Sequence, residues 1–543
     1  MSFQRSTSLV FPTERSSDAP GALRGLGRIA VYLILGALTL SPLLATAVPP
    51  LVDYPDHLAR MWILLHAKDI PALASNYIVD WRLSPNLAMD LVVPSLARLM
   101  PLEDAGRLFV ALTMASLVLG TMTLHRALYG RIGLWPLASL LFVYNSVLYW
   151  GFVNFLFTLG LALVTFSAWV ASERWPAHWR ALVFALPASL LLVFHLFGFG
   201  IYGLLVASYA FGKLRQARRW TGANLRTTAI VMAQFIPAVL LWAAALGNGG
   251  ASYTRYHLEY KLMDLVAPAT FGWMPRPLDW AVLVLTIFFL CYAKGSGAVR
   301  LAPSMRWPIM AMIVAAVVMP NWLAGGWAAD LRLPIALPFV VLASMRFAGT
   351  RRALGCFAVV ALALLGIRVW AVTESWRDAD RRFAEFRAAS RSIPEGARLL
   401  VVETPMTPDE CRIDGVPFAL AQREPLALWH MPALAAIDRS AFLPYLFFNG
   451  WNPLRPHPRN AGLYQAHGTL LLPSQLVASA SPDWRPSAPD WPDELGEMPY
   501  WVNWPDKFDF VLWIDFSRMP GPLPEQLQPW AGGSFFKIYR VVR

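Results

Sequence analysis

The sequence predicts an α-helical polytopic membrane protein of about eleven spans, followed by a C-terminal extracytoplasmic α/β domain. Three observations carry this. The 543 residues are 57% hydrophobic and 15% charged, against about 45–50% and about 25% in ordinary soluble domains. Up to about Ala371, apolar runs alternate with short polar breaks, and each run approaches the ~20 residues a bilayer-crossing helix needs. After Thr373 the chain turns polar and strand-like, with Pro- and Trp-rich loops.

Charge supports the division. Residues 1–372 hold 29 Lys+Arg and 14 Asp+Glu, whereas residues 373–543 hold 17 and 20. The basic excess therefore belongs to the hydrophobic part, in short loops. A nucleic-acid binder would carry a basic stripe on a folded domain, so no nucleic-acid partner is expected. Cys291, Cys356 and Cys411 are the three cysteines, two of them in apolar runs, which predicts neither an intradomain disulfide nor a Cys-based zinc site.

Taken in order, residues 1–28 form a cytoplasmic N-terminal segment and residues 29–372 the transmembrane domain. Its spans are 29–48, 105–124, 132–147, 152–172, 181–196, 198–212, 227–246, 279–293, 307–320, 333–345 and 354–372. The first outer loop is 49–104; within it, residues 87–100 hold Asp90 and Pro94 and read as an interfacial or half-inserted helix. With the N-terminus inside, the inner segments hold 19 Lys+Arg and 3 Asp+Glu, the asymmetry of cytoplasmic loops. Counting 87–100 as a span would invert that bias. Ala45-Thr46-Ala47 resembles a signal-peptide cleavage site, but the apolar run is long enough to span, which favours an uncleaved anchor. Residues 373–543 are the extracytoplasmic domain. A polar helix stops at Pro394 and Gly396, and strand-like runs follow at Leu399–Val402, Phe508–Ile514 and Phe535–Val542.

This topology collects four polar features on the outer side. The first is "DYPDHLAR", with Asp53, Asp56, His57 and Arg60. Asp53 is suited to cap the helix that follows, and Asp56 suits its first turn. Capping does not account for His57 and Arg60 one turn apart beside two carboxylates. The second is His195, in a tight turn between two spans, read either as a satisfied interface residue or as a group facing a shared outer cavity. The third is "ASYTRYHLEYKLMDL", with Arg255, His257 and Lys261, whose default reading is a solvated amphipathic face and whose alternative is a phosphate contact. The fourth is "NWLAGGWAADLRLP", where Asp330 and Arg332 start a span behind Gly325 and Gly326. Such groups can snorkel, and a guanidinium also offers a fork of donors to a phosphate.

No Walker loop, G-x-G-x-x-G, H-E-x-x-H or G-x-S-x-G motif competes. Asp53, Asp56 and His57 form only a weak metal pattern, so no metal and no cofactor are assigned. The tail tryptophans Trp429, Trp451, Trp501 and Trp504 read mainly as core. The stretch "HMPALAAIDRSAFLPYLFF" reads as structural, without a catalytic residue.

With its acidic residue just after the first span, its interfacial helices in that loop and its terminal soluble domain, the chain resembles the GT-C superfamily of integral-membrane glycosyltransferases. The bacterial aminoarabinose and galacturonic-acid transferases are examples. The resemblance covers most of residues 25–372. It implies that Asp53, with Asp56 as second choice, is the catalytic aspartate. It implies that Arg332 or Arg255 binds a lipid phosphate; His57, Arg60, His195 and Asp330 complete the candidate substrate site. The donor it implies is a polyprenyl-phosphate sugar, the acceptor a glycan, lipid or protein, and the location the bacterial inner membrane. The first loop lacks a D-x-D and the tail lacks W-W-D-Y-G, which argues against an oligosaccharyltransferase. A lipid or sugar transporter, a non-catalytic envelope-assembly protein and a polymer ligase remain as alternatives.

Overall fold

Among the described residues, eight helices are long and apolar enough to cross a membrane, and two shorter apolar ones, Pro303–Val318 and Arg332–Ser344, accompany them. The structure, a computed structural model, describes residues 21–543 apart from 217–219, 246–253, 273–274, 324–325, 404–411, 414–415, 418–427, 449–450, 465–470, 486–498 and 515–522. Residues 1–20, Gly325 and Cys411 therefore lie outside the described residues. These ten helices coincide with ten of the expected spans.

The remaining expected span, 132–147, is not an α-helix. It is a 3-10 helix over Trp135–Phe142 and a four-residue helix over Ser146–Tyr149. It still runs the length of the bundle. At one end Trp135 Nε1–H donates to the Leu342 carbonyl and the Tyr129 hydroxyl to that of Ser344. At the other, the Tyr144 hydroxyl donates to the Thr39 carbonyl and the Ser146 N–H to that of Ala267. A 3-10 coil rises about 2.0 Å per residue against about 1.5 Å in an α-helix, so fewer residues cover the distance. Hydropathy alone does not separate the two forms.

The basic loops share one end. Lys213 pairs with Glu173, Arg300 lies opposite Arg346 in a short antiparallel ladder, and the Tyr129 hydroxyl donates to the Arg300 carbonyl. The first loop and the C-terminal domain meet at the other end.

Helices Leu102–Tyr129 and Val153–Ala171 form the tightest pair. A Cβ at Gly120 would lie 2.8 Å from the Gly160 carbonyl, and one at Gly160 would run into Ser116. Small residues let two backbones approach closely within a membrane.

The boundary expected at 372/373 falls inside one unbroken helix, Arg351–Ser390. Its 40 residues span about 60 Å. Its first half exposes Val359, Val360 and Trp370; its second half is amphipathic and backs a four-stranded sheet. In that sheet Leu399–Glu403 pairs parallel with Phe510–Ile514, which pairs antiparallel with Phe536–Val541, which pairs antiparallel with Leu527–Gly532. The first three match the expected strands. The fourth, with Pro529, is an edge strand that the sequence did not announce. Trp501 and Trp504 are core, as expected.

The C-terminal domain is stitched to the first loop. Tyr77–Val79 pairs antiparallel with Leu454–Pro456. The Asn76 amide donates to the carbonyls of Gly396 and Ser440. Asp380 accepts from the Thr46 hydroxyl and the Ala47 N–H. Arg387 grips Asp438 at 2.5 Å and Glu103 at 3.4 Å.

Candidate active site

Asp53 immediately precedes the first-loop helix Tyr54–His66. Its N–H donates to the Trp150 carbonyl at 3.1 Å, and that of Val52 to the Tyr149 carbonyl at 2.9 Å. This close approach requires Gly151, whose φ is +86° and whose Cβ, were there one, would lie 3.0 Å from the Asp53 nitrogen. The Asp53 side chain makes no capping hydrogen bond. Capping therefore does not occupy its carboxylate, which is 17% exposed.

The partner of this carboxylate comes from the C-terminal domain. His430 Nε2 lies 3.6 Å from Asp53 Oδ1, and its Nδ1 lies 2.8 Å from Asp56 Oδ2. Asp56 is fully buried. The shorter contact is close but misaligned for a hydrogen bond, so it acts as an ion pair. Burial opposes charge on the imidazole, but Asp56, Asp53 and Glu403 together outweigh it and raise His430 to about 9. Asp53 is pushed up to about 7, chiefly by burial, with His430 pulling the other way. Burial also raises Asp56, and it pushes Glu403, at the end of strand Leu399–Glu403, up to about 8.

His57 and Arg60 complete the wall of this cluster. Burial first, then the charges of Arg60 and His430, hold His57 well below its ordinary value, so it is neutral at pH 7. Its ring faces Phe447 at 5.4 Å, and Phe447 in turn faces His430 at 5.5 Å. Phe447 is held there at φ +51°, a backbone region costly for a non-glycine residue. Arg60 is committed elsewhere. Its Nε and Nη2 donate to the two oxygens of Asp90 at 2.8 and 3.1 Å, with both side chains fully buried. Only its Nη1 is unpartnered.

A second cluster lies on the other side of residues 150–152. Arg332 is 8% exposed. Its guanidinium stacks on Phe197 at 4.2 Å and lies 5.2 Å from Phe152 and 5.8 Å from Phe155. Its Nε and Nη1 have no hydrogen-bond partner. His195 joins it, 5.5 Å from Phe155 ring to ring. His195 Nδ1 accepts the Phe197 N–H at 3.1 Å, which leaves Nε2 as the protonated donor of a neutral ring. Thus the fold brings together two candidates 137 positions apart.

The other candidates are tied into the scaffold. Asp330 accepts from Lys261 at 2.9 Å, from the Asn321 amide at 3.2 Å and from the Leu331 N–H at 3.0 Å. Burial and the neighbouring Asp330 charge push Asp264 up to about 7. The backbone of Arg255 exchanges two 3.1 Å hydrogen bonds with that of Trp322, and His257 pairs with Glu259. The exposed residues of the segment around them are mixed: Thr254 and Glu259 beside Tyr256, Leu258, Leu262, Met263 and Leu265, as suits a helix at a membrane boundary.

No family model and no curated protein matches the chain. Among solved structures it is similar to ArnT from Cupriavidus metallidurans, in a crystal structure with bound undecaprenyl phosphate. The TM-score is 0.45 at 10% identity, covering 96% of this chain and 98% of that one. At 10% identity no residue of one chain stands for a residue of the other.

Sequence reasoning missed His430, Glu403, Gly151 and the phenylalanine cage. His430 lay in the stretch read as structural. The signal was present: two adjacent carboxylates needed a cation, and "WHMP" places a lone titratable group in an apolar stretch of the tail. Among the described residues no group of three His, Cys, Asp or Glu side chains is arranged to hold a metal ion.

Proposed function

We propose that the protein transfers a sugar from a polyprenyl-phosphate-linked donor to a hydroxyl of an envelope lipid, polysaccharide or protein. The observation that carries this reading is the role of one short segment, residues 150–152. It holds the reachable carboxylate of Asp53 by a backbone bond and also lies against the buried guanidinium of Arg332, whose Nε and Nη1 have no hydrogen-bond partner. Buried N–H donors without an acceptor are costly, and a phosphate that accepts from Nε and Nη1 offsets that cost.

The steps follow from the placement. Arg332 and His195 Nε2–H hold the donor phosphate, while the isoprenoid chain lies along the apolar helices. The acceptor oxygen attacks the anomeric carbon and forms the new glycosidic bond. The bond from that carbon to the phosphate oxygen breaks, and its electron pair stays on the phosphate, stabilised by Arg332. Asp53 takes the acceptor's proton as general base. Asp56 is its buried neighbour, reached through His430. A single displacement inverts the anomeric configuration. No nucleotide takes part, and the reading assigns no cofactor and no metal.

In this reading the protein is a multi-pass protein of the bacterial inner membrane. Its N-terminus is cytoplasmic and its C-terminal domain extracytoplasmic. The gathering of the basic loops at the end opposite Asp53 supports that orientation. Arg60, Asp330 and Arg255 serve as supports rather than ligands, and His57 as a wall of the site.

The test is binding of a polyprenyl phosphate to the full chain in lipid nanodiscs. Arg332→Ala weakens binding by about tenfold or more, and Arg332→Lys restores it only in part, because the planar fork is lost. Equal affinity for wild type and Arg332→Ala contradicts the reading and favours a transporter, an assembly protein or a ligase with another site.

A further inference from the structure

We infer that His430, carried by the C-terminal domain, is a positioning residue for Asp53: its imidazolium sits between Asp53 and Asp56 and favours the ionised form of Asp53 inside the buried site. This rests on the transferase reading for the use of Asp53, but the electrostatic claim stands apart from it.

Four carboxylates surround this corner: Asp53, Asp56, Asp90 and Glu403. Arg60 spends two of its three nitrogens on Asp90, so it contributes to Asp53 only at a distance. His57 is neutral. Burial keeps the hydroxyl of Tyr445, which faces Asp56 and Glu403, protonated. Among the described residues, that leaves the imidazolium of His430 as the cation in direct contact with Asp53 and Asp56. Two neighbouring carboxylates in a dry site do not both ionise without one. The first-loop helix supplies no substitute, since the Asp53 side chain takes no backbone N–H.

The location of His430 turns this local pairing into a coupling between domains. His430 directly precedes the turn Met431–Ala433 and the helix Leu434–Arg439. That helix is held against Arg351–Ser390 through Arg387 and Asp438. Phe447, seated between His430 and His57, fixes the ring from the side. The ladder between Tyr77–Val79 and Leu454–Pro456 closes the same junction from beyond. Each contact that docks the domain also brings its histidine over the base.

The test reads protonation of Asp53 directly, without sugar transfer. The full chain in nanodiscs is treated with a hydrophobic carbodiimide, which reacts with protonated carboxyls, across pH 5 to 10. Peptide fragmentation then locates the adduct on Asp53 or Asp56. Wild type loses Asp53 labelling with a midpoint near 7. His430→Gln moves that midpoint up by about one unit or more, and His430→Lys brings it most of the way back. An unchanged midpoint in folded His430→Gln overturns the inference. If His430→Gln does not fold, the nitrogen-15 titration of the His430 imidazole is compared between wild type and Asp56→Asn. A midpoint lowered by about one unit or more supports the clamp, and an equal midpoint overturns it. A shifted midpoint together with full sugar transfer by Asp53→Asn would keep the clamp and remove the transferase role of Asp53.

Discussion

The backbone N–H of Asp53 donates to the carbonyl of Trp150 at 3.1 Å. This bond joins the first loop to the segment that also touches Arg332. It makes the position of the carboxylate a property of the helix pair Leu102–Tyr129 and Val153–Ala171 rather than of a free loop. A site on rigid elements holds its geometry better than one on a loop.

Gly151→Ala tests that relationship. A methyl at this position meets the Asp53 backbone at 3.0 Å and its Cβ at 3.2 Å, at a φ of +86°. The strain is about 1–3 kcal/mol, so the protein still folds, with a modestly lower melting temperature. Displacement of the base lowers sugar transfer by about 100-fold. Thermal unfolding in detergent and envelope glycolipid profiling read the two effects separately; full transfer by the variant counts against the placement.

Arg60 gives the opposite expectation. Arg60→Met leaves Asp90 buried without a partner and destabilises by about 3–5 kcal/mol. The double variant Arg60→Met/Asp90→Leu removes both charges and recovers most of the stability and the transfer. A folded double variant that has lost polyprenyl-phosphate binding would make Arg60 a ligand after all.

The pH dependence has a definite sign. His430 stands at about 9 in the folded protein against 6.5 ordinarily, so its contribution is fully present below 6.5 and is lost as pH rises through 9. Asp53, raised from 3.8 to about 7, costs stability as it ionises on the way up. Both act in one direction, and docking of the C-terminal domain weakens on the alkaline side. Hydrogen exchange over residues 428–448 at pH 7.5 and 9.5, corrected for intrinsic rates, is faster at the higher pH. Equal protection at both values contradicts the clamp.

The count of crossings is also open to test. In the proposed topology, ten helices and the 3-10 segment make eleven passages, which predicts termini on opposite sides. A reporter active only in the cytoplasm stays silent when fused after Arg543 and is active at the N-terminus. Activity at both ends removes one passage.

Much of the fold was legible because hydropathy and charge decide it. Long apolar runs specify helices, and short basic loops specify which ends lie together. The 3-10 form of Trp135–Phe142 was not legible, because an apolar run reads the same in either helix. The change of composition at Thr373 does not interrupt the helix Arg351–Ser390, since a helix can leave a membrane without ending. At the site, Asp53, Asp56, His195 and Arg332 were legible as ionisable groups at span ends. Their pairing was not. Arg60 was legible as a charged group in the first loop, but its pairing with Asp90 was not. His430 was missed because it is nearly 380 residues from Asp53, and a single sequence carries no record of such a contact.

The measurement closest to the central claim separates the two uses of Asp53. Asn caps a helix about as well as Asp but is a poor proton acceptor. Cells lacking the gene receive either wild type or Asp53→Asn at matched membrane levels, and envelope glycans and glycolipids are profiled by mass spectrometry. Wild type restores a missing sugar and Asp53→Asn does not. Equal restoration by both contradicts that claim, because the carboxylate would then not be the base.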